Sequence, residues 1–263
     1  MGTNIAEQSW APVVTFAIAT YAVTWGAFFS FRTGAESGSG RAVWGFILVT
    51  VWSPTIIAVL TAELFNGSRG VGTLVRSLFR RWAERKRWYV AALAVPFVTV
   101  CVAIAVARAL HANANFVPLA ALPVIMAIQL GTGAVGEELG WRGLFLSCLQ
   151  SKLNKRVSAA IMGATWSLWH LPSFFVPGLP QRLIPPAAFL ITVACFGVFL
   201  SLVFNETNGH VLSTMIAHFG FNVGLGIGGA QFGPVLWWSL TFLFATVALW
   251  SGSRLGRLPG RLS

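Results

Sequence analysis

Glu137-Glu138-Leu139-Gly140-Trp141-Arg142 sets two adjacent carboxylates and a guanidinium inside a stretch that otherwise reads as membrane. An ionised carboxylate near a bilayer centre costs about 3 kcal/mol or more. Such a pair persists only if it is paired, protonated or turned toward a polar cavity. A hydrocarbon core of ~30 Å needs about 20 apolar residues per helix. Working outward from the Glu pair, that criterion gives eight spans, at roughly 11–31, 42–64, 88–110, 117–147, 157–175, 185–204, 209–229 and 234–251. The predicted fold class is all-α: a polytopic integral membrane protein of about eight transmembrane helices plus an interfacial amphipathic helix. Residues 1–263 form one membrane domain.

Composition agrees. Of 263 residues, 56% are hydrophobic and 10% charged, with a mean hydropathy of +0.73, against about 25% charged in a soluble domain. The net charge of +11 does not mark a nucleic-acid partner, because the basic residues sit at the ends of apolar segments. There they suit anionic headgroups. With the N-terminus inside, 14 basic residues fall in inner segments and 4 (Arg32, Arg41, Arg108, Arg182) in outer ones. The positive-inside rule then puts both termini in the cytoplasm, and the expected location is the plasma (inner) membrane. Cys101, Cys148 and Cys195 lie far apart and form no C-x-x-C pair. The run Gly131 to Gly136 matches G-x-G-x-x-G, but it lies within an apolar span and not after a strand, so it signals no dinucleotide site.

Between spans two and three, Val71, Leu74, Val75, Leu78, Phe79 and Trp82 share one helical face, and Arg76, Arg80, Arg81 and Arg85 fall largely on the other. That pattern predicts a helix lying on the cytoplasmic leaflet.

Within the spans four polar groups stand out: the Glu pair, Arg142, His170, and His218 with Asn222. On a rise of ~1.5 Å per residue, Glu137 lies ~15 Å deep, His170 ~20 Å and His218 ~14 Å. Three helices thus bring ionisable groups to similar depth. Glu138 and Arg142 are four apart and suited to an ion pair, which leaves Glu137 as the unpaired carboxylate. His218 and Asn222 share a face. Gly136/Gly140, Gly220/Gly224 and Gly224/Gly228 are small-xxx-small pairs of the kind that let backbones approach, and are expected to draw the polar groups together. His111 and His210 fall at segment ends and carry much less signal.

Glu137-Glu138-x-x-x-Arg142, Trp166-x-x-x-His170 and His218-x-x-x-Asn222, in that order, resemble the CPBP family of intramembrane proteases (CAAX proteases and bacteriocin-processing enzymes, also called Abi), which includes the type II CAAX prenyl endopeptidases. The resemblance covers a core at 117–229, and Trp52-Ser53-Pro54 matches the upstream part more loosely. It implies that Glu137 and His170 activate the attacking water. His218 and Asn222 stabilise the oxyanion, and Arg142 holds Glu138. Trp166 stands where the family usually has Phe, from which altered packing is expected with the chemistry kept. A zinc ion held by Glu137, His170 and His218 and a metal-free glutamate mechanism both stay open, the second favoured because Asn is a poor zinc ligand. The expected partners are the lipid bilayer and a membrane-associated peptide or protein substrate, reached through a polar cavity opening toward the cytoplasm. The competing readings are a proton-coupled transporter using the same Glu and His groups, and a noncatalytic membrane scaffold.

Overall fold

The computed structural model describes residues 9–34, 40–80, 86–112, 117–177, 179–227 and 233–258. Every long described element is helical: α1 (Ala11–Gly34), α2 (Gly40–Arg76), α3 (Arg87–Ala109), α4 (Leu122–Gln129), α5 (Val135–Glu138), α6 (Ser147–Gln150), α7 (Lys155–Trp169), α8 (Pro186–Glu206), α9 (Val211–Ile227) and α10 (Pro234–Leu255). Five of them, within α1, α2, α3, α8 and α10, are long and apolar enough to cross a membrane, and α9 is apolar but shorter. The chain is thus a polytopic helical membrane protein.

Its outer surface is apolar as well as its core. Ile18, Leu64, Val90, Phe242 and Leu249 are each at least 65% exposed, while Glu138 and Arg142 are fully buried. Apolar side chains on the outside match lipid, so helix association rests on close packing more than on apolar burial. The small-xxx-small glycines serve this, with partners that spacing alone did not reveal. A Cβ on Gly136 would lie 2.8 Å from the Val51 carbonyl oxygen, and one on Gly140 would strike the Pro54 carbonyl. On α9, Gly220 and Gly224 abut Leu93 and Val100. The glycines therefore seat the central segment on α2 and α9 on α3. They do not seat the two site-bearing segments on each other, as expected from sequence. A further close approach, Gly163 of α7 against Ala194 and Gly197 of α8, joins the other site helix to the bundle.

The span expected at 117–147 is an interrupted helix. Two π-helical stretches, Leu130–Ala134 and Leu139–Leu146, alternate with α4, α5 and α6. The wider π turn is characteristic of functional sites, and here it brackets the Glu pair. Near the middle of α2, Pro54 has no N–H to give the Thr50 carbonyl. The Ser53 hydroxyl donates to that carbonyl instead, at 3.0 Å.

The interfacial helix differs from its expectation. Gly67 turns α2 at φ 59°, and helix resumes only as far as Arg76. Residues 77–79 form a turn, and Arg81, Trp82 and Arg85 lie outside the described residues. Leu74 is buried and packs beside Gly143, not in lipid. The turn docks on the α8–α9 connection. Ser77 O accepts Val211 N–H at 3.0 Å, and Arg80 Nη1 donates to Asn208 O at 2.7 Å. His210 closes the join. Its Nε2 donates to Leu78 O at 3.0 Å, which leaves Nδ1 to accept from the Tyr89 hydroxyl at 3.1 Å. A residue judged a weak signal in the sequence is thus 1% exposed and holds two segments together.

Candidate active site

Glu137, His170, His218 and Asn222 all line one cavity of about 440 Å³. Its floor is this polar group, and its walls are mostly apolar, including Phe28, Phe46, Trp169, Phe189, Phe221 and Trp237. Thr50, Gln129, Ser173 and Gln181 add polar side chains to the otherwise apolar lining.

Glu138 points into the protein. Its Oε1 accepts from Arg142 Nη1 at 2.7 Å and from His218 Nδ1 at 2.9 Å. The i,i+4 ion pair is formed, and one oxygen serves two helices. Arg142 does not lie in a loop, so it drops out of the inner charge count and leaves 13 basic residues against 4. Its guanidinium sits 4.3 Å from the centre of the Trp166 ring, a cation–π contact that covers the side chain's flat face.

Trp166 does more than pack. Its Nε1 donates to Glu137 Oε2 at 2.8 Å, a bond no phenylalanine can make, so the substitution alters the environment of the carboxylate itself. Packing alone was the expectation. The same residue's carbonyl accepts from His170 Nδ1 at 2.8 Å. A carbonyl only accepts, so Nδ1 carries the proton and the His170 Nε2 lone pair is left for other work. Trp169 adds a second restraint, its ring edge-on to His170 with centroids 4.7 Å apart. Trp169 Nε1 in turn donates to Thr24 Oγ1 at 2.9 Å, and Thr24 meets Ser53 Oγ at 2.6 Å. Since Ser53 spends its proton on Thr50 O, Thr24 must donate to Ser53. The helix break at Pro54 is thereby linked through three hydroxyl and indole groups to the residue beside His170.

Asn222 and His218 converge beside Gly133. A Cβ there would lie 2.7 Å from Asn222 Nδ2 and 3.8 Å from His218 Nε2. The missing side chain opens a space that two nitrogens face. Sequence reading met Gly133 only as part of a discarded G-x-G-x-x-G run.

The donor types of Glu137, His170 and His218 suit zinc, but their placement does not: among the described residues no three His, Cys, Asp or Glu side chains are close enough to hold one ion. No step is assigned to a metal.

The cavity lining includes Leu179–Gln181 between α7 and α8, together with Phe28, Phe46 and Leu225. These lie at the end of the bundle opposite the basic segments and the two described chain ends.

Residues 119–224 match a family model described as type II CAAX prenyl endopeptidase Rce1-like. The chain is also 29% identical over 108 residues to CAAX prenyl protease 2 of Methanococcus maripaludis, covering 39% of each protein. Residues 119–224 include Gly133, Glu137, Glu138, Arg142, Trp166, His170, His218 and Asn222.

Proposed function

We propose that this chain, whose residues 119–224 belong to the Rce1-like family of type II CAAX prenyl endopeptidases, is an intramembrane protease acting on a membrane-associated peptide or protein. The observation that carries this reading is the gathering of one acid, two imidazoles and an amide from three separate segments around one cavity. In the proposed reaction a water is held between Glu137 and His170. Trp166 restrains Glu137 Oε2, so Oε1 takes the water's proton as general base. The His170 Nε2 lone pair orients the same water, its other nitrogen being fixed on the Trp166 carbonyl. The hydroxide oxygen bonds to the scissile carbonyl carbon. The developing oxyanion fits beside Gly133, within reach of Asn222 Nδ2 and His218 Nε2, where preorganised donors are most effective. Because His218 Nδ1–H is committed to Glu138, donation from Nε2 requires the imidazolium; Arg142 already balances Glu138, so the imidazolium is balanced by Glu137 and then by the oxyanion. The intermediate collapses with cleavage of its C–N bond as Glu137 passes its proton to the departing nitrogen, giving a carboxylic acid and an amine, which exchange a proton in water to become carboxylate and ammonium.

The membrane frame completes the proposal. Eight crossings, with both termini in the cytoplasm of the inner membrane, accommodate the five long helices, α9, the interrupted 122–150 segment and α7 with its 3₁₀ extension Leu171–Phe175. The short helix after Gly67 lies at the inner interface.

The test is cleavage of a fluorogenic peptide by reconstituted wild type, Glu137→Ala and His218→Ala, with metal content measured on the same samples. Both variants are expected to lose turnover while remaining folded. Cleavage retained in both removes the mechanism, and activity that tracks bound zinc replaces it with a metal-dependent one.

A further inference from the structure

His170 caps the end of α7, and its ring is bonded to the Trp166 carbonyl in that helix's last turn. The last carbonyls of a helix have no partner within it, so whatever holds that turn also aims the imidazole. Here α1 holds it. Tyr21, Thr24, Trp25 and Phe28 recur at the spacing of one helical face. The Tyr21 hydroxyl donates to Thr165 O, and Trp25 Nε1 donates to Trp169 O at 3.2 Å. Phe28 lines the cavity. Thr24 Oγ1 accepts the Trp169 indole N–H at 2.9 Å and gives its own proton to Ser53, 2.6 Å away, which in turn donates to Thr50 O. An indole only donates and a carbonyl only accepts, so the direction of this chain is fixed. Thr24 is fully buried, and Ser53 and Trp169 are nearly so. The Trp169 ring at the end of the chain is wedged edge-on between His170, 4.7 Å away by centroids, and Trp141, 5.9 Å away.

We propose that Thr24 is a positioning residue of the site: through the Trp169 indole it sets the angle at which His170 presents its Nε2 lone pair to the cavity. This rests on the reading of the cavity as a hydrolytic site. Thr24 itself touches no reacting group. The Trp166 carbonyl fixes one point of the imidazole, and the Trp169 ring against its face fixes the tilt. Without an acceptor for its N–H, the indole is free to turn about its side-chain torsions, and His170 follows. A water shared by His170 and Glu137 has to meet groups on two segments, so a small turn of one of them is costly. Thr24 and Ser53 also lie outside residues 119–224, which hold Glu137, His170, His218 and Asn222. The first two helices thereby serve the chemistry of a site whose reacting groups they do not carry.

Variants of the full chain in detergent test this, read by cleavage of a fluorogenic peptide and by nuclear magnetic resonance of isotope-labelled histidine. The chain has 4 histidines, and the His170 ring signals are assigned by their loss in His170→Gln. Thr24→Val keeps the shape of the side chain and removes its hydroxyl. It is expected to lower kcat about ten- to a hundredfold at nearly unchanged KM, and to shift the His170 signals. Thr24→Ser is expected to restore both. Thr207→Val is the control, because Thr207 is also fully buried and bonded to a serine hydroxyl, Ser213 at 2.7 Å, but does not line the cavity. It is expected to lower the unfolding temperature and to leave kcat and the His170 signals as in wild type. Trp169→Phe removes the donor of the same bond; it is expected to lower kcat, and adding Thr24→Val to it to change nothing further. His170 signals unchanged in Thr24→Val overturn the proposal, as does an equal loss of kcat in Thr207→Val. Wild-type kcat in Trp169→Phe overturns it even where Thr24→Val does not fold. If wild type leaves the peptide intact, hydrolysis is what has failed, and the His170 signals alone decide whether Thr24 sets that ring.

Discussion

Glu138 holds Arg142 and His218 on a single oxygen and is closed off on every side, whereas Glu137, one residue earlier, takes one indole N–H and faces a cavity of about 440 Å³. Successive helical residues point about 100° apart, so adjacent identical side chains can enter different surroundings. The closed one ties π-helical Arg142 to α9. The open one keeps an oxygen for a proton. The difference separates a carboxylate paired within the protein from one that faces a cavity: the paired charge joins the central segment to α9.

The comparison can be broken by exchanging the two roles. Glu137→Gln is expected to lower turnover by about 10²–10⁴-fold, the usual span for a lost general base, with its thermal unfolding in detergent nearly unchanged. Glu138→Gln leaves the Arg142 guanidinium buried without its counter-charge, which costs roughly 3–5 kcal/mol. That variant is expected to unfold well below wild type. Equal destabilisation by both, or an active Glu137→Gln, erases the distinction.

A sharper version isolates the indole bond. Trp166→Phe keeps an aromatic face over Arg142 but removes the donor to Glu137 Oε2. A hydrogen bond to a charged group is worth about 1.5–3 kcal/mol. A tenfold or larger fall in kcat is therefore expected, by about that measure, with little change in KM. An unaltered kcat would return Trp166 to the packing role that sequence suggested.

Much of this was legible beforehand. Hydropathy located the helices because lipid imposes a length and a composition on each. The Glu138–Arg142 pair followed from i,i+4 spacing, and the site residues from charges that lipid does not tolerate. What stayed hidden depended on rotation and docking between segments. Trp166 bonds Glu137 only because α7 presents that edge to the central segment, and the π turns around Glu137 leave no mark in residue type. Gly136 and Gly140 announced a close approach but not that α2 would supply it. The helix after Gly67 stops at Arg76 because the turn beyond it is captured by the α8–α9 connection through His210, a long-range contact outside any periodicity.

That connection gives the smallest effect, at the end of the molecule far from the cavity. Burial, ahead of the raising influence of the Leu78 carbonyl, holds the His210 imidazole below its ordinary value of 6.5. A histidine kept neutral in the fold contributes stability that is complete above 6.5 and is lost as pH falls from there toward the lowered folded value. Unfolding temperature is expected to drop modestly over that acidic window, and His210→Gln to flatten the slope. A slope unchanged in the variant would place the sensitivity elsewhere.

The apolar exterior of the bundle has a consequence for handling the protein. Each helix satisfies its own backbone and needs no neighbour to remain a helix, while the fit of glycine against carbonyl between helices is easily wetted. A harsh, short-chained surfactant should therefore let solvent seep between segments and abolish the proposed cleavage while the far-ultraviolet circular dichroism still reads as intact, so spectroscopic helicity is a poor certificate of a working preparation.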